Sequence, residues 1–249
     1  MPKSKPQNTN CSFSEDFFKD SVYLVTGASG GLGRAIAIEL AANGATVVLS
    51  GRSVANLEKT YDLIEDKGYP KPAIIPFDLE QTDSKKYQEL INSIYNEFKG
   101  LDGIINAACE VGIMSPIRDQ DDDFWLKTQQ VNLNACFLLS KAATPLLSQS
   151  GAASVTFISD SSARQGKAYW GAYGISKIAL EGLSATLADE LDSTSIKCNV
   201  FIPGPSQLPV RKKTHPGEES SQQLDINSVS DALLELICSR KTGQIFSAQ

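Results

Sequence analysis

The stretch Ser21-Val-Tyr-Leu-Val-Thr-Gly-Ala-Ser-Gly-Gly-Leu-Gly-Arg34 narrows the possible folds more than any other part of the chain. Val22 to Val25 form an apolar, partly β-branched run of the kind buried on both faces of a parallel sheet, and Ala35-Ile-Ala-Ile-Glu-Leu-Ala-Ala42 resumes with apolar residues at helical spacing. Between them the chain turns on glycines. Without a Cβ, such a turn lets backbone N–H groups approach a pyrophosphate at the positive end of the following helix. A glycine string alone marks only a turn; with a strand before it and a helix after it, the string predicts a dinucleotide cradle built from Gly27, Ser29, Gly30, Gly31, Leu32 and Gly33.

The next segments repeat the alternation. Ala45 to Ser50 reads as a second strand, followed by a polar helix over roughly 54–67. In a dinucleotide fold the end of this strand meets the adenosine ribose, where a carboxylate selects the 2′-hydroxyl of NAD and an arginine accommodates the 2′-phosphate of NADP. Gly51 offers no carboxylate and Arg52 is present, so the expected cofactor is NADP rather than NAD. Ala73 to Leu79 predicts a third strand ending in Asp78-Leu79, with Asp78 either bonding the adenine edge or capping a helix over 84–99. Leu101 to Cys109 predicts a fourth strand, with Asn106, Ala107 and Ala108 at the carboxyl end where open parallel sheets bind ligands. A helical stretch over 122–147 and a fifth strand over 153–159 follow. The pattern predicts a single-domain α/β fold: a Rossmann-type, doubly wound parallel sheet of about seven strands with helices on both faces.

Composition bounds what such a domain does. At 249 residues the chain suffices for one large core. Its 29 acidic residues against 23 basic ones argue against nucleic acid and anionic membranes, and point to a small-molecule substrate. Five cysteines, odd in number and without CxxC pairing, suggest neither a disulfide framework nor zinc. The polar start, residues 1–20, reads as a partly disordered extension rather than a signal peptide, so a cytoplasmic location is expected. His215 is the single histidine, which excludes a multi-histidine metal site.

Tyr173-Gly-Ile-Ser-Lys177 opens a predicted helix over 172–191 and puts tyrosine and lysine on one face. A nearby ammonium favours the phenolate, so the pair predicts a tyrosine usable as a general acid and base near neutral pH.

Taken together, Thr26-Gly-Ala-Ser-Gly-Gly-Leu-Gly33, Asp78-Leu79, the Asn106 segment, Asn132, Ser159 to Ser162, Tyr173xxxLys177 and Pro203-Gly204 resemble the short-chain dehydrogenase/reductase family, and Leu101-Asp-Gly-Ile-Ile, Arg164-Gln-Gly-Lys-Ala-Tyr-Trp-Gly-Ala-Tyr173 and Lys241-Thr-Gly-Gln resemble, within it, the YciK-type oxidoreductases. The resemblance implies that Tyr173 exchanges a proton with the substrate while hydride moves to or from nicotinamide. It implies further that Lys177 bonds the nicotinamide ribose and lowers the Tyr173 pKa, that Asn132 anchors a water leading to solvent, and that Pro203 and Gly204 lie against the nicotinamide. A substrate loop over about 205–225, and a homodimer or homotetramer built on the two long helices, come from the same source.

Departures stand beside the matches. The family's serine thirteen residues before the tyrosine is Asp160 here. Ser161 taking over after a one-residue shift, Asp160 acting itself as in pteridine reductases, and lost catalysis remain three open readings. Cys109 stands where the family has glycine and is expected to be buried as a small apolar residue, and Leu208 replaces a threonine, with Ser206 near. The basic run Arg211-Lys-Lys-Thr-His215 is either a gate for anionic substrates or a solvated loop; Tyr169 and Trp170 wall a pocket or pack between subunits. An NADP-dependent oxidoreductase acting on a carbonyl or a pterin-like C=N bond is the first functional reading. A cofactor-binding protein with impaired catalysis, and an assembly subunit, are the alternatives.

Overall fold

A computed structural model describes residues 17–248. Seven strands form one parallel sheet: β1 (Val22–Thr26), β2 (Thr46–Gly51), β3 (Ala73–Pro76), β4 (Gly103–Asn106), β5 (Ser154–Ile158), β6 (Lys197–Ile202) and β7 (Ile245–Ser247). Their order is β3-β2-β1-β4-β5-β6-β7. Among the described residues, eight α-helices connect and cover them: α1 (Gly31–Ala42), α2 (Val54–Glu65), α3 (Ser84–Phe98), α4 (Asp122–Gln129), α5 (Ala135–Leu147), α6 (Gly171–Glu190), α7 (Pro209–Thr214) and α8 (Ile226–Cys238). The order reverses between β1 and β4, where Val25 pairs with Ile105 and Thr26 with Asn106, so a crevice opens at their carboxyl ends.

Burial follows the sequence pattern. All five residues of β1 are buried, and α1 buries Leu32, Ile36, Ala37, Leu40 and Ala41, one stripe facing the sheet. One apolar layer joins α1 and α8 to the sheet through Val25, Leu40, Leu49 and Leu233. The opposite layer is formed by Leu24, Ile94, Leu139, Phe157 and Leu180. Of the extension expected over residues 1–20, residues 1–16 lie outside the described ones, and Phe18 belongs to the core: it is buried edge-on against the Tyr23 ring, with centroids 5.4 Å apart.

Three local expectations are corrected. The third strand stops at Pro76, leaving Asp78 and Leu79 in the following loop. Asp78 does not cap α3; Asp83 does, accepting from the Lys85 N–H at 2.9 Å, while Asp78 accepts from the Glu80 N–H at 3.0 Å. The helix expected over 122–147 is interrupted by a π-helical turn over Gln130–Asn134, in which Asn132 sits.

Candidate active site

The crevice holds a cavity of about 400 Å³ that runs from Arg52 at one end to Arg211 at the other. Two glycines of the first turn permit close backbone approaches that shape it. A Cβ at Gly33 would stand 2.3 Å from the Gly27 carbonyl oxygen, so α1 packs onto the end of β1 only without a side chain there. Gly27, at φ +69°, lies so near Ala108 that a Cβ would come within 2.8 Å of its backbone. The cradle expected from sequence is corrected at one residue: Gly33 serves helix packing and does not line the cavity, whereas Gly27, Ser29, Gly30, Gly31 and Leu32 do.

Arg52, Asp78, Leu79, Ala107, Ala108, Pro203 and Gly204 also line it. Asn106 does not. It is buried and its amide donates to the Thr156 carbonyl at 3.4 Å, joining β4 to β5 rather than facing a ligand.

Tyr173, Lys177 and Asp160 share one wall. The Tyr173 hydroxyl donates to Asp160 Oδ2 at 3.3 Å, and Asp160 Oδ1 accepts from the Ser162 N–H at 2.9 Å, which fixes the carboxylate toward the phenol. Ser161 is exposed and does not line the cavity; the loop is not shifted in the way that would bring it in. Ser159 is also committed, donating to Glu181 Oε1 at 2.6 Å. Lys177, buried, donates to the Ile158 carbonyl at 2.7 Å, with its Nζ 5.7 Å from the Tyr173 ring centroid. Burial above all, then the nearby Cys109 and Asp160, push the Tyr173 phenol well above its ordinary value. The expected lowering by Lys177 is therefore not what this arrangement produces: the ammonium is turned to a carbonyl, and the carboxylate takes the phenol's hydrogen bond.

Asn132 lies outside the cavity lining and its side-chain amide is fully engaged. Its Oδ1 accepts from the Glu110 N–H, its Nδ2 donates to the Glu110 carbonyl, both at 2.8 Å, and Nδ2 also reaches Ser176 Oγ at 3.0 Å. Through these bonds the side chain acts as a clamp on the segment carrying Cys109 and Val111. Cys109 is likewise corrected: it is open to the cleft rather than buried, although its place deep in the molecule pushes its thiol up.

Segment 205–225 is folded over the far end. Pro209 starts α7, and Arg211 is buried with Nε and Nη2 each 2.7 Å from the two oxygens of Glu218. That pairing, with a further bond from Gln223, holds the Glu218 carboxyl down at about 2. His215 packs edge-on against Trp170 and lies 3.3 Å from Ser162 Oγ, tying the segment to the Asp160 loop. Trp170 is buried beside Val111 and Tyr173, while Tyr169 is exposed. Of the two readings of the basic run, a gate or a solvated loop, Arg211 at the cavity fits the first; its pairing with Glu218 was not read from the sequence, where the signal is an opposite charge seven residues on, across Pro216-Gly217.

A cleft of this kind, at the switch point of a parallel sheet and walled by side chains that exchange protons, defines a nucleotide-dependent oxidoreductase. The chain belongs to the short-chain dehydrogenase family, whose pattern matches residues 21–219. It is 36% identical over 238 residues to the uncharacterized oxidoreductase YciK of Escherichia coli K12, covering 94% of each chain. It is 32% identical to a 3beta-hydroxysteroid dehydrogenase of Mediterraneibacter gnavus, over 79% of this chain and 70% of that one. Among solved structures, a Shigella flexneri protein complexed with NADP superposes with a TM-score of 0.90 at 36% identity, covering 95% of this chain and all of its own. An Escherichia coli CFT073 protein complexed with NADPH gives 0.90 at 38% identity, over 95% and 99%. No helix among the described residues is long and apolar enough to cross a membrane.

Proposed function

We propose that this oxidoreductase uses NADP(H) and transfers hydride between nicotinamide and a small carbonyl or alcohol, or a pterin-like C=N bond, with Tyr173 as proton donor and acceptor. The observation that carries the reading is the Asp160–Tyr173–Lys177 wall in the same cavity as the glycine turn. The cavity fits the cofactor on its own chemistry: a Cβ-free turn leading into the N-terminus of α1 suits a pyrophosphate, and Arg52 at the end of β2 suits a 2′-phosphate. Gly27 to Leu32 would hold the pyrophosphate, Arg52 the phosphate, Asp78 and Leu79 the adenine, and Pro203 and Gly204 the nicotinamide end. The bound cofactor supplies or takes up the hydride.

The protein's share is alignment and proton transfer. In reduction Tyr173 gives its proton to the oxygen or nitrogen that receives the bonding pair, and in oxidation it takes one back. Lys177, which donates to the Ile158 carbonyl, would hold the nicotinamide ribose after reorienting, and would then bring a positive charge to bear on the phenol. Asp160, which can only accept hydrogen bonds when ionised, favours a substrate that presents an N–H over one that develops an oxyanion. Its contact with Tyr173 also supports the second reading, a cofactor-binding protein with impaired catalysis. The protein is proposed to work in the cytoplasm as a homodimer or homotetramer; exposed Phe137, Ile175 and Ile178 on α5 and α6 support pairing.

The test is NADPH oxidation across a panel of carbonyls, quinones and pterins. Turnover that Tyr173→Phe reduces by about 10²–10⁴-fold is expected; turnover indifferent to that change refutes the mechanism, and tight NADPH binding without turnover selects the second reading. Arg52→Ala is expected to weaken NADPH about tenfold or more while changing NADH little, since a guanidinium–phosphate contact is lost only for the phosphorylated cofactor. Equal losses would reject the NADP assignment.

A further inference from the structure

Arg52, assigned above to the 2′-phosphate, already has an anion. Its Nη1 lies 2.7 Å from Glu80 Oε1, and the same oxygen lies 2.7 Å from Lys127 Nζ. The three groups come from different elements: Arg52 follows β2, Glu80 follows the Asp78-Leu79 loop, and Lys127 stands on α4. One carboxylate oxygen is thus shared by two cations beside the cavity end that Arg52 lines. The Glu80 backbone is itself fixed, since its N–H donates to Asp78 Oδ1. Lys127 first, and Arg52 after it, hold the carboxyl below its usual range, so the group is an anion at neutral pH.

We infer that Glu80 is a specificity-determining residue: its carboxylate stands in for the 2′-phosphate on Arg52, and Lys127 takes the carboxylate over when the phosphate arrives. The inference rests on the NADP reading and goes beyond it. A phosphate dianion that binds Arg52 displaces Glu80, and a released carboxylate without a second cation would remain beside the incoming phosphate and repel it. The shared oxygen removes that penalty, because the pair Lys127–Glu80 is already formed before Arg52 leaves. NAD carries no 2′-phosphate and neither competes with Glu80 nor gains from its departure. Two residues that need not touch the cofactor would in this way set the preference between cofactors.

The experiment is calorimetric titration of the full chain with NADPH and NADH, and with 2′,5′-ADP and 5′-AMP as probes of the adenosine end alone. Glu80→Gln keeps the shape and removes the charge. It should tighten NADPH and 2′,5′-ADP about three- to fivefold, the scale of a half-exposed ion pair, and change NADH and 5′-AMP less than about twofold. Lys127→Met should weaken the phosphorylated ligands about two- to threefold in the Glu80 protein and leave them unchanged in the Glu80→Gln protein. Equal changes for both cofactors would mean that Glu80 merely obstructs the groove, and an equal Lys127→Met loss in both backgrounds would mean that Lys127 binds the phosphate itself. Either result overturns the inference. A wild-type protein without preference for 2′,5′-ADP over 5′-AMP overturns the cofactor reading and the inference together; a preference that Glu80→Gln leaves unchanged overturns the inference alone.

Discussion

Asp160 shows how one side chain resets a site whose other parts are in place. A serine hydroxyl at this position donates or accepts; an ionised carboxylate only accepts and brings a charge 3.3 Å from the Tyr173 hydroxyl. Together with burial and Cys109 it keeps the phenol protonated well above its ordinary range. Replacing Asp160 by Asn removes the charge and keeps the volume, so the Tyr173 phenol should titrate lower. With any alcohol that the protein oxidises, the acid limb of kcat/KM should move down by about one pH unit. The same shift should be visible in ¹³C-tyrosine spectra, with Tyr173→Phe assigning the signal. An unmoved limb would mean that Asp160 is turned from the phenol in the working complex.

At the level of elements, the β1–α1 turn and α7 both line the cleft, and they depend on different physics. The first depends on space. Gly33→Ala would drive a methyl into the Gly27 carbonyl, forcing α1 off the strand end. The expected outcome is a loss of about 1–3 kcal/mol in urea unfolding together with at least tenfold weaker NADPH binding, although Gly33 does not line the cavity. Full-strength binding in that variant would refute the packing role. The second piece depends on charge. α7 is only six residues long and is held by the bidentate Arg211–Glu218 pair. Because the folded Glu218 pKa is depressed to about 2, the stabilisation is present above the ordinary carboxyl value and is lost as pH falls from there toward about 2. Glu218→Gln should therefore raise amide exchange at His215, whose N–H bonds the Arg211 carbonyl, by about tenfold at neutral pH. The exchange of α1 should stay unchanged, and a protected His215 in the variant would show that the pair does not hold the helix.

Across the whole molecule, buried thiols couple stability to alkaline pH. Cys136 and Cys198 are both buried, and burial pushes each thiol up to about 12. A folded-state pKa above the unfolded one gives stability that is complete below the unfolded value, near 9, and is lost as pH rises from there toward about 12. The urea midpoint should fall between pH 9 and 11, and the double change Cys136→Ala with Cys198→Ala should flatten that fall while lowering stability at pH 7 through the cavities it leaves. An identical pH slope in the double variant would assign the alkaline loss to other groups, such as the buried phenols of Tyr23 and Tyr173.

What the sequence determined by itself was the order of elements, because burial imprints a period on the residues: a buried β1, an amphipathic α1 and a glycine turn between them are local facts of composition and spacing. The same holds for the helix that sets Tyr173 and Lys177 one turn apart. The tertiary structure alone decided which of the named residues face the cavity. Gly33, Asn106 and Asn132 turned out to support it from behind, Ser161 is exposed outside it, Cys109 opens into it, and Arg211 enters from a segment whose charge reads either as a gate or as a solvated run. Hydrogen-bond partners such as Glu110 for Asn132, or Glu80 for Arg52, are 22 and 28 residues away in the chain. No local pattern records such a partner, because the contact exists only after the sheet has brought its carboxyl ends together.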